Sequence, residues 1–221
     1  LSITPTGTVT TDADTTVNFN SVAYDHLSMV QSPPVEWFTT SGSIGSNGLF
    51  TPTAAGVHTV SACFGLVCGE QNVTVTPGAP DELLVTPVTA TITADETLTI
   101  TASMVDQHGN PVPGEAITFT PTNGSMSAVM PNVFQPYAVG THVVRVQHTS
   151  SGEFVDVSVT VNPGAPDRFD LSGCAGTVPA GVWCDITADL YDQFDNPLDI
   201  SAAGNLTWTT TNGNYSEMNQ Q

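Results

Sequence analysis

Apolar and polar residues alternate along much of the chain with the two-residue period of β-strands. The most regular run, Gly56-Val57-His58-Thr59-Val60-Ser61-Ala62, places His58, Val60 and Ala62 on one face and Val57, Thr59 and Ser61 on the other. Val17-Asn18-Phe19, Val35-Glu36-Trp37, Leu98-Thr99-Ile100-Thr101-Ala102, Ile117-Thr118-Phe119 and Phe154-Val155-Asp156-Val157-Ser158-Val159 read the same way, and Leu1-Ser2-Ile3-Thr4 opens the chain as a strand. Pro33-Pro34, Ser41-Gly42-Ser43 and Ser46-Asn47-Gly48 mark turns between them. No segment carries a helical period. Short alternating strands separated by turn residues at intervals of roughly 8–12 residues predict an all-β chain of sandwich type.

The pattern also repeats. Val-Thr-Pro-Gly-Ala-Pro-Asp, from Val75 to Asp81, returns as Val-Asn-Pro-Gly-Ala-Pro-Asp from Val161 to Asp167. Phe134, Pro136, Gly140, His142 and Val144 match Phe50, Pro52, Gly56, His58 and Val60 at one constant offset. A period of about 86 residues divides the chain into modules at 1–77, 78–163 and 164–221. The third retains Ile186-Thr187-Ala188, Asp192-Gln193, Asn196-Pro197 and Leu206-Thr207-Trp208 and then stops, which reads as an N-terminal half. Either the remaining strands lie beyond this sequence or a neighbouring chain supplies them. Prolines fix φ and push the preceding residue into extended geometry, so the Pro-Gly-Ala-Pro joints are expected to be short and stiff and the modules to form a rod.

Composition narrows the setting. Charged residues make up 10% of the chain and apolar residues 39%, and Thr, Ser, Asn and Gly supply the polarity. Arg145 and Arg168 are the only Lys or Arg residues, and the net charge is -19. A chain so poor in cations has no footprint for nucleic acid and is disfavoured at anionic membranes. The acidic balance suits a salty or calcium-containing exterior, or simply keeps neighbouring rods apart by repulsion, the second being the expected reading. No apolar run approaches the ~20 residues that span a bilayer, and any signal peptide or anchor is expected outside this sequence. Cys63 with Cys68 and Cys174 with Cys184 form local pairs, whose spacing fits disulfides in an oxidising compartment and not a zinc site. Cys63 lies on the outward face and Cys68 follows a four-residue turn, so this pair is expected to staple a hairpin.

At Asp106-Gln107-His108-Gly109-Asn110-Pro111-Val112-Pro113-Gly114, followed by Ile117-Thr118-Phe119 and Gly140-Thr141-His142-Val143-Val144, the chain resembles the bacterial immunoglobulin-like domains of invasin- and intimin-type surface proteins and their archaeal relatives. Asp192-Gln193-Phe194-Asp195-Asn196-Pro197 carries the same signature; Tyr24-Asp25-His26 departs from it, with no Gly-Asn-Pro following. The resemblance implies tandem seven-stranded antiparallel Greek-key sandwiches, in proteins that project from cells, adhere or build surface layers.

Candidate chemistry is sparse. His58 and His142 share one repeat slot where a polar side-chain tip bonds backbone, a structural role; His26, His108 and His148 are solitary and expected to be exposed. No nucleophile elbow, phosphate loop or His-Glu-x-x-His motif occurs, and no carboxylate pair recurs at one offset, so no catalytic residue, cofactor site or enzyme activity is expected. Asp106 and Asp192 are expected to bond their own turns. Calcium is the best ligand candidate, through Asp81, Glu82 and Asp167 at the joints, although no cluster of joint acids is visible. Asn72, Asn123, Asn205 and Asn214 head N-glycosylation sequons, with Asn123 on a turn the preferred one. The sequence thus points to an extracellular, cell-surface structural protein, a segment of a stalk, filament or envelope layer, whose partners are copies of itself or neighbouring surface proteins. The alternatives are an adhesin-type module that binds carbohydrate or protein, for which Trp183 is the aromatic free to contribute, and the spacer of a secreted enzyme.

Overall fold

A computed structural model describes residues 1–25, 27, 30, 31, 34–203 and 209; His26, Pro33 and the Leu206-Thr207-Trp208 segment fall outside them. The chain is all-β. Its strands are β1 (Ser2–Thr4), β2 (Val9–Asp12), β3 (Val17–Asn18), β4 (Asn20–Tyr24), β5 (Val30–Gln31), β6 (Glu36–Thr39), β7 (Ser43–Ile44), β8 (Leu49–Thr51), β9 (Gly56–Phe64), β10 (Val67–Thr76), β11 (Pro80–Thr86) and β12 (Thr89–Thr93). They continue as β13 (Leu98–Thr99), β14 (Thr101–Asp106), β15 (Pro111–Val112), β16 (Ile117–Pro121), β17 (Ser125–Met126), β18 (Val133–Gln135), β19 (Gly140–His148), β20 (Phe154–Asn162), β21 (Pro166–Gly173), β22 (Ile186–Asp192) and β23 (Pro197–Leu198). Among the described residues the only helix is a 3-10 turn, Ile200–Ala203. Two compact units emerge, one of Leu1–Thr86, Thr101–Thr118 and Val146–Val155, the other of Pro87–Ile100, Phe119–Arg145 and Asp156–Gln221.

In the first unit, sheets ordered β1-β4-β5, β2-β10-β9-β6 and β3-β8-β7 enclose one core. The alternation read from the sequence is what fills it: Val60 and Ala62 from β9, Val73 and Val75 from β10, and Ile3, Phe19 and Phe50 are buried. Phe19 meets Phe50 edge-on at 6.3 Å and lies 6.5 Å from Trp37. Each of the valine, isoleucine and phenylalanine side chains removed from water contributes about 1.5–3 kcal/mol. Cys63 and Cys68 sit opposite one another on β9 and β10 and form the expected disulfide across that hairpin. This unit also holds the sheet β11-β14-β15.

The second unit holds the sheet β13-β18-β17, the sheet β21-β22-β23 and the paired strands β12 and β20. Phe134, Ile100, Val144, Val157, Val159 and Val161 are buried within it. The second disulfide, Cys174–Cys184, closes the loop between β21 and β22. Arg168 pairs with Asp170 and Asp195 and lies 4.6 Å over the Tyr191 ring.

Two features depart from the expected pattern. The sandwich is not wholly antiparallel: β2 runs parallel to β10, and β12 parallel to β20. The strand that would have been continuous from β1 into β2 is interrupted at Pro5 and Gly7, and the one from β11 into β12 at Pro87. Proline cannot donate to a ladder, so the chain leaves one sheet there and resumes beside the last strand of the other, running in the same direction. The second departure is that the single strands read at Val17-Asn18-Phe19 and Leu98–Ala102 are divided. Phe19 and Ile100 are fully buried at the break, with their N–H groups donated to Gly48 O (2.8 Å) and Asn132 O (2.9 Å). On one side of each break the strand pairs with β8 or β18, on the other with β1 or β11.

Candidate functional site: the two Pro-Gly-Ala-Pro joints

The Asp-Gln-x-x-Asn-Pro signature forms a tight turn between β14 and β15, and again between β22 and β23. In the first, Asp106 Oδ1 accepts the N–H groups of His108 (2.9 Å) and Asn110 (2.8 Å), while Oδ2 accepts the Asn110 side-chain amide (2.8 Å). That satisfies the turn, as expected for an Asp in this position. The same Oδ2 also accepts the N–H of Gly78 in the joint, at 2.7 Å. The next N–H, of Ala79, is donated to Asp14 Oδ2 (2.9 Å), and Asp14 Oδ1 accepts the Gln107 side-chain amide (2.7 Å). Asn110 finishes the arrangement by donating to Thr53 O (3.0 Å) and accepting from Ala55 N–H (2.9 Å). Four chain segments are thereby tied together, all within the first unit.

The second unit carries the same set. Asp192 accepts from Phe194 and Asn196 N–H (both 2.9 Å), from the Asn196 side chain (2.8 Å) and from Gly164 N–H (2.8 Å). Asp95 accepts from Ala165 N–H and from Gln193 (2.8 Å), and Asn196 bridges Tyr137 O (3.0 Å) and Val139 N–H (3.1 Å). The glycine that follows the first proline of each joint lets the carboxylate pack directly on the backbone, and a side chain there would displace it. A methyl on Gly78 would overlap the Asp14 carboxylate, and one on Gly164 the Asp95 carboxylate. The joints differ at one contact. His108 lies 3.8 Å from Asp14 in the first, whereas Phe194 meets the Tyr137 ring edge-on at 5.9 Å in the second.

Asp106 and Asp192 are 2% and 1% exposed. Burial by itself raises the Asp106 carboxyl, but the hydrogen bonds from the Asn110 side chain and the Gly78, Asn110 and His108 amides outweigh it and hold the group down at about 2. Asp192 is lowered by the same balance, burial opposed by bonds from Gly164, Asn196 and Phe194. Gln107, then Ala79, lowers Asp14. These carboxylates are ionised acceptors at neutral pH, and charge-assisted bonds of this kind are the stronger ones.

No carboxylate pair recurs at one constant offset, since Asp14 and Asp95 are spaced differently from Asp106 and Asp192, but the fold makes equivalent pairs of them. Asp14 with Asp106, and Asp95 with Asp192, meet at corresponding joints, far apart in sequence but close in space. Their oxygens are occupied by N–H donors, an arrangement for holding chain segments and not for moving protons. The calcium candidates Asp81, Glu82 and Asp167 are exposed on β11 and β21, and no group of three or more His, Cys, Asp or Glu suited to a metal occurs among the described residues.

Of the sequons, Asn123 is exposed in the turn between β16 and β17, and Asn72 is exposed within β10 with its side chain accepting from Thr59 Oγ1 (3.1 Å). Asn205 and Asn214 lie outside the described residues. His58 and His142 play matching parts, each placing Nε2 2.7 Å from a carbonyl four residues earlier, Ala54 O and Ala138 O. His108 is exposed as expected, but His148 is not. It is 2% exposed, between Glu115 Oε2 and Ser151 Oγ, both at 2.8 Å. The signal was present in its parity: Val144, Val146 and His148 share the inward face of β19. Arg145 is engaged in a two-pronged pair with Asp156 (2.8 Å for each bond).

No protein-family model matches the sequence, and no curated protein matches it significantly. Solved structures do. The chain is similar to FdeC, an Escherichia coli adhesin, at 14% identity over 88% of this chain and 73% of that one, with a TM-score of 0.50. Invasin, a bacterial integrin-binding protein, aligns at 19% identity over 87% of this chain and 46% of its own, with a TM-score of 0.44. The surface-layer protein SbsC, domains 4–9, aligns at 16% over 83% of this chain and 32% of its own, with a TM-score of 0.35. The chain thus spans about a third of the SbsC fragment and under half of the invasin chain. At these identities the likeness defines a class of fold: the chain is an all-β protein of immunoglobulin-like architecture.

Proposed function

We propose that this chain is a segment of an extracellular structural protein of the cell surface, a stalk, filament or envelope layer whose immunoglobulin-like modules span distance. The observation that carries the proposal is the hydrogen-bond lock at both Pro-Gly-Ala-Pro joints. A connector whose N–H groups are bonded to buried or partly screened carboxylates bends less than a solvated linker, and stiffness is what a spacer requires. The disulfides, the shortage of cations and the polar Thr-rich faces fit an oxidising exterior. In this reading the modules run 1–77, 78–163 and 164–221, and Asn123, exposed on its turn, is the sequon proposed to carry a glycan. Calcium at Asp81, Glu82 and Asp167 is a secondary element of the proposal, testable by whether chelator alters thermal stability. Immunogold electron microscopy of the native cells tests the reading. Label on an external layer, stalk or filament is expected; label confined to the cell interior overturns it.

A second reading, a binding module for carbohydrate or protein, is favoured by one observation. The loop closed by Cys174–Cys184 presents Val182 and Trp183, the latter 76% exposed. A rigid, exposed aromatic is the usual anchor of such contacts. Loss of cell or glycan binding on Trp183→Ala, with unchanged stability, would establish it; no binding by the unmodified chain would remove it.

A further inference from the structure

Asn-Gly dipeptides are the sites at which a protein backbone most readily attacks its own side chain, because glycine leaves the following nitrogen unhindered. Two fall among the described residues, Asn47-Gly48 and Asn123-Gly124, and the fold treats them differently. Both glycines are obligatory. Gly48 has φ +78° and no room for a methyl beside Phe19 O; Gly124 has φ +88°, and a Cβ there would lie 2.7 Å from Gln135 O and 2.8 Å from the buried Phe134 ring. The turn between β16 and β17 therefore cannot exchange its glycine for a less reactive neighbour.

At the first site both reacting groups are restrained. The Gly48 N–H is buried and donated to Gly45 O (2.9 Å), while Asn47 Oδ1 accepts from Leu49 N–H (3.2 Å) and is turned past its neighbour. At the second the neighbours face one another. The Gly124 N–H points at Asn123 Oδ1 (2.9 Å), on an exposed turn, which sets the side-chain amide beside the nitrogen that would attack it.

We propose that Asn123 is a site of spontaneous succinimide formation and of conversion to aspartate and isoaspartate. The Gly124 nitrogen gives its proton to solvent base and bonds to Asn123 Cγ; the Cγ–Nδ2 bond breaks and ammonia leaves with a proton from water. Water then adds to either carbonyl of the five-membered ring and opens it. The sum is amide plus water to acid plus ammonia, with no change of oxidation state. The isoaspartyl product carries one more main-chain carbon in a turn packed on Phe134, and both products add a negative charge to an already acidic chain. The departing Nδ2 is also the atom that the Asn123-Gly124-Ser125 sequon would glycosylate, so a glycan and this conversion exclude one another, a point that rests on the glycosylation proposed above.

The test uses the full chain from a host without N-glycosylation machinery. It is incubated at mildly alkaline pH, native and in denaturant, then digested and read by peptide mass mapping with isoaspartyl methyltransferase labelling. In the native chain Asn123 is expected to convert roughly tenfold or more faster than Asn47, because its side-chain amide is held beside the Gly124 nitrogen, whereas the Asn47 amide is bonded to Leu49 N–H and the Gly48 N–H to Gly45 O. In denaturant the two rates should converge. Asn123→Gln should remove the isoaspartyl label at this peptide while leaving the circular dichroism spectrum unchanged. Equal native rates, or faster conversion at Asn47, would overturn the proposal.

Discussion

Asp106 does at one position what usually takes several side chains: it closes its own turn and reaches a connector at Gly78. Removing it leaves four N–H donors without their acceptor in a site almost closed to water. Asp106→Ala is therefore expected to destabilise by about 3 kcal/mol, measured by urea denaturation, because bonds to a buried charge and the orphaned donors both count. Gln107→Ala, which removes one exposed amide, should have a much smaller effect. The acid limb of stability follows from the same group. A carboxyl that titrates at about 2 when folded and near its ordinary 3.8 when unfolded binds fewer protons in the folded state between those values. Its contribution, about 2 kcal/mol, is present above roughly pH 4 and is lost as pH falls through 2. Asp192 acts in the same direction. Denaturation midpoints from pH 5 to 2 should fall less steeply in Asp106→Ala than in the parent.

Not all of this was legible. The roles of His58 and His142 could be read from their shared slot after a glycine, and that of Asp106 within its turn from Gly-Asn-Pro. Asp14 and Asp95 could not, because an Ala-Asp pair in a loop carries no local signature and its partners lie far away in sequence. The signal that could have found them is that each stands two residues beyond a short strand, β2 or β12.

Among elements, alternation located the strands but not their partners. Phe19 and Ile100 keep the inward parity of their runs, so nothing in the pattern betrays that each strand changes sheets there. Parallel pairing of β2 with β10 was equally hidden, since period two is blind to direction; only Pro5 and Pro87 hinted that a ladder must break. The disulfides act at this scale by restricting short loops in the unfolded chain. Loop-closure entropy gives about 2 kcal/mol for Cys63–Cys68 and about 3 kcal/mol for Cys174–Cys184, which encloses the longer loop. Replacing each pair by serine should lower stability in that order, as read by chemical denaturation of the two variants. An equal or reversed order would mean that loop length does not govern their contribution.

For the molecule as a whole, the charge of -19 excludes partners that need a basic surface, and both arginines are engaged in ion pairs with aspartates. What remains is an immunoglobulin-like chain whose most specific polar chemistry is spent on its connectors. Gly78, Ala79, Gly164 and Ala165 are bound residues and not solvated linker. Amide hydrogen exchange of these four N–H groups, followed by NMR at a pH above the carboxylate range, tests it most directly. Protection comparable to that of neighbouring strand amides is expected, and it should be lost at Gly78 in Asp106→Ala and at Gly164 in Asp192→Ala. Exchange at the rate of an open peptide in the unmodified chain would contradict it.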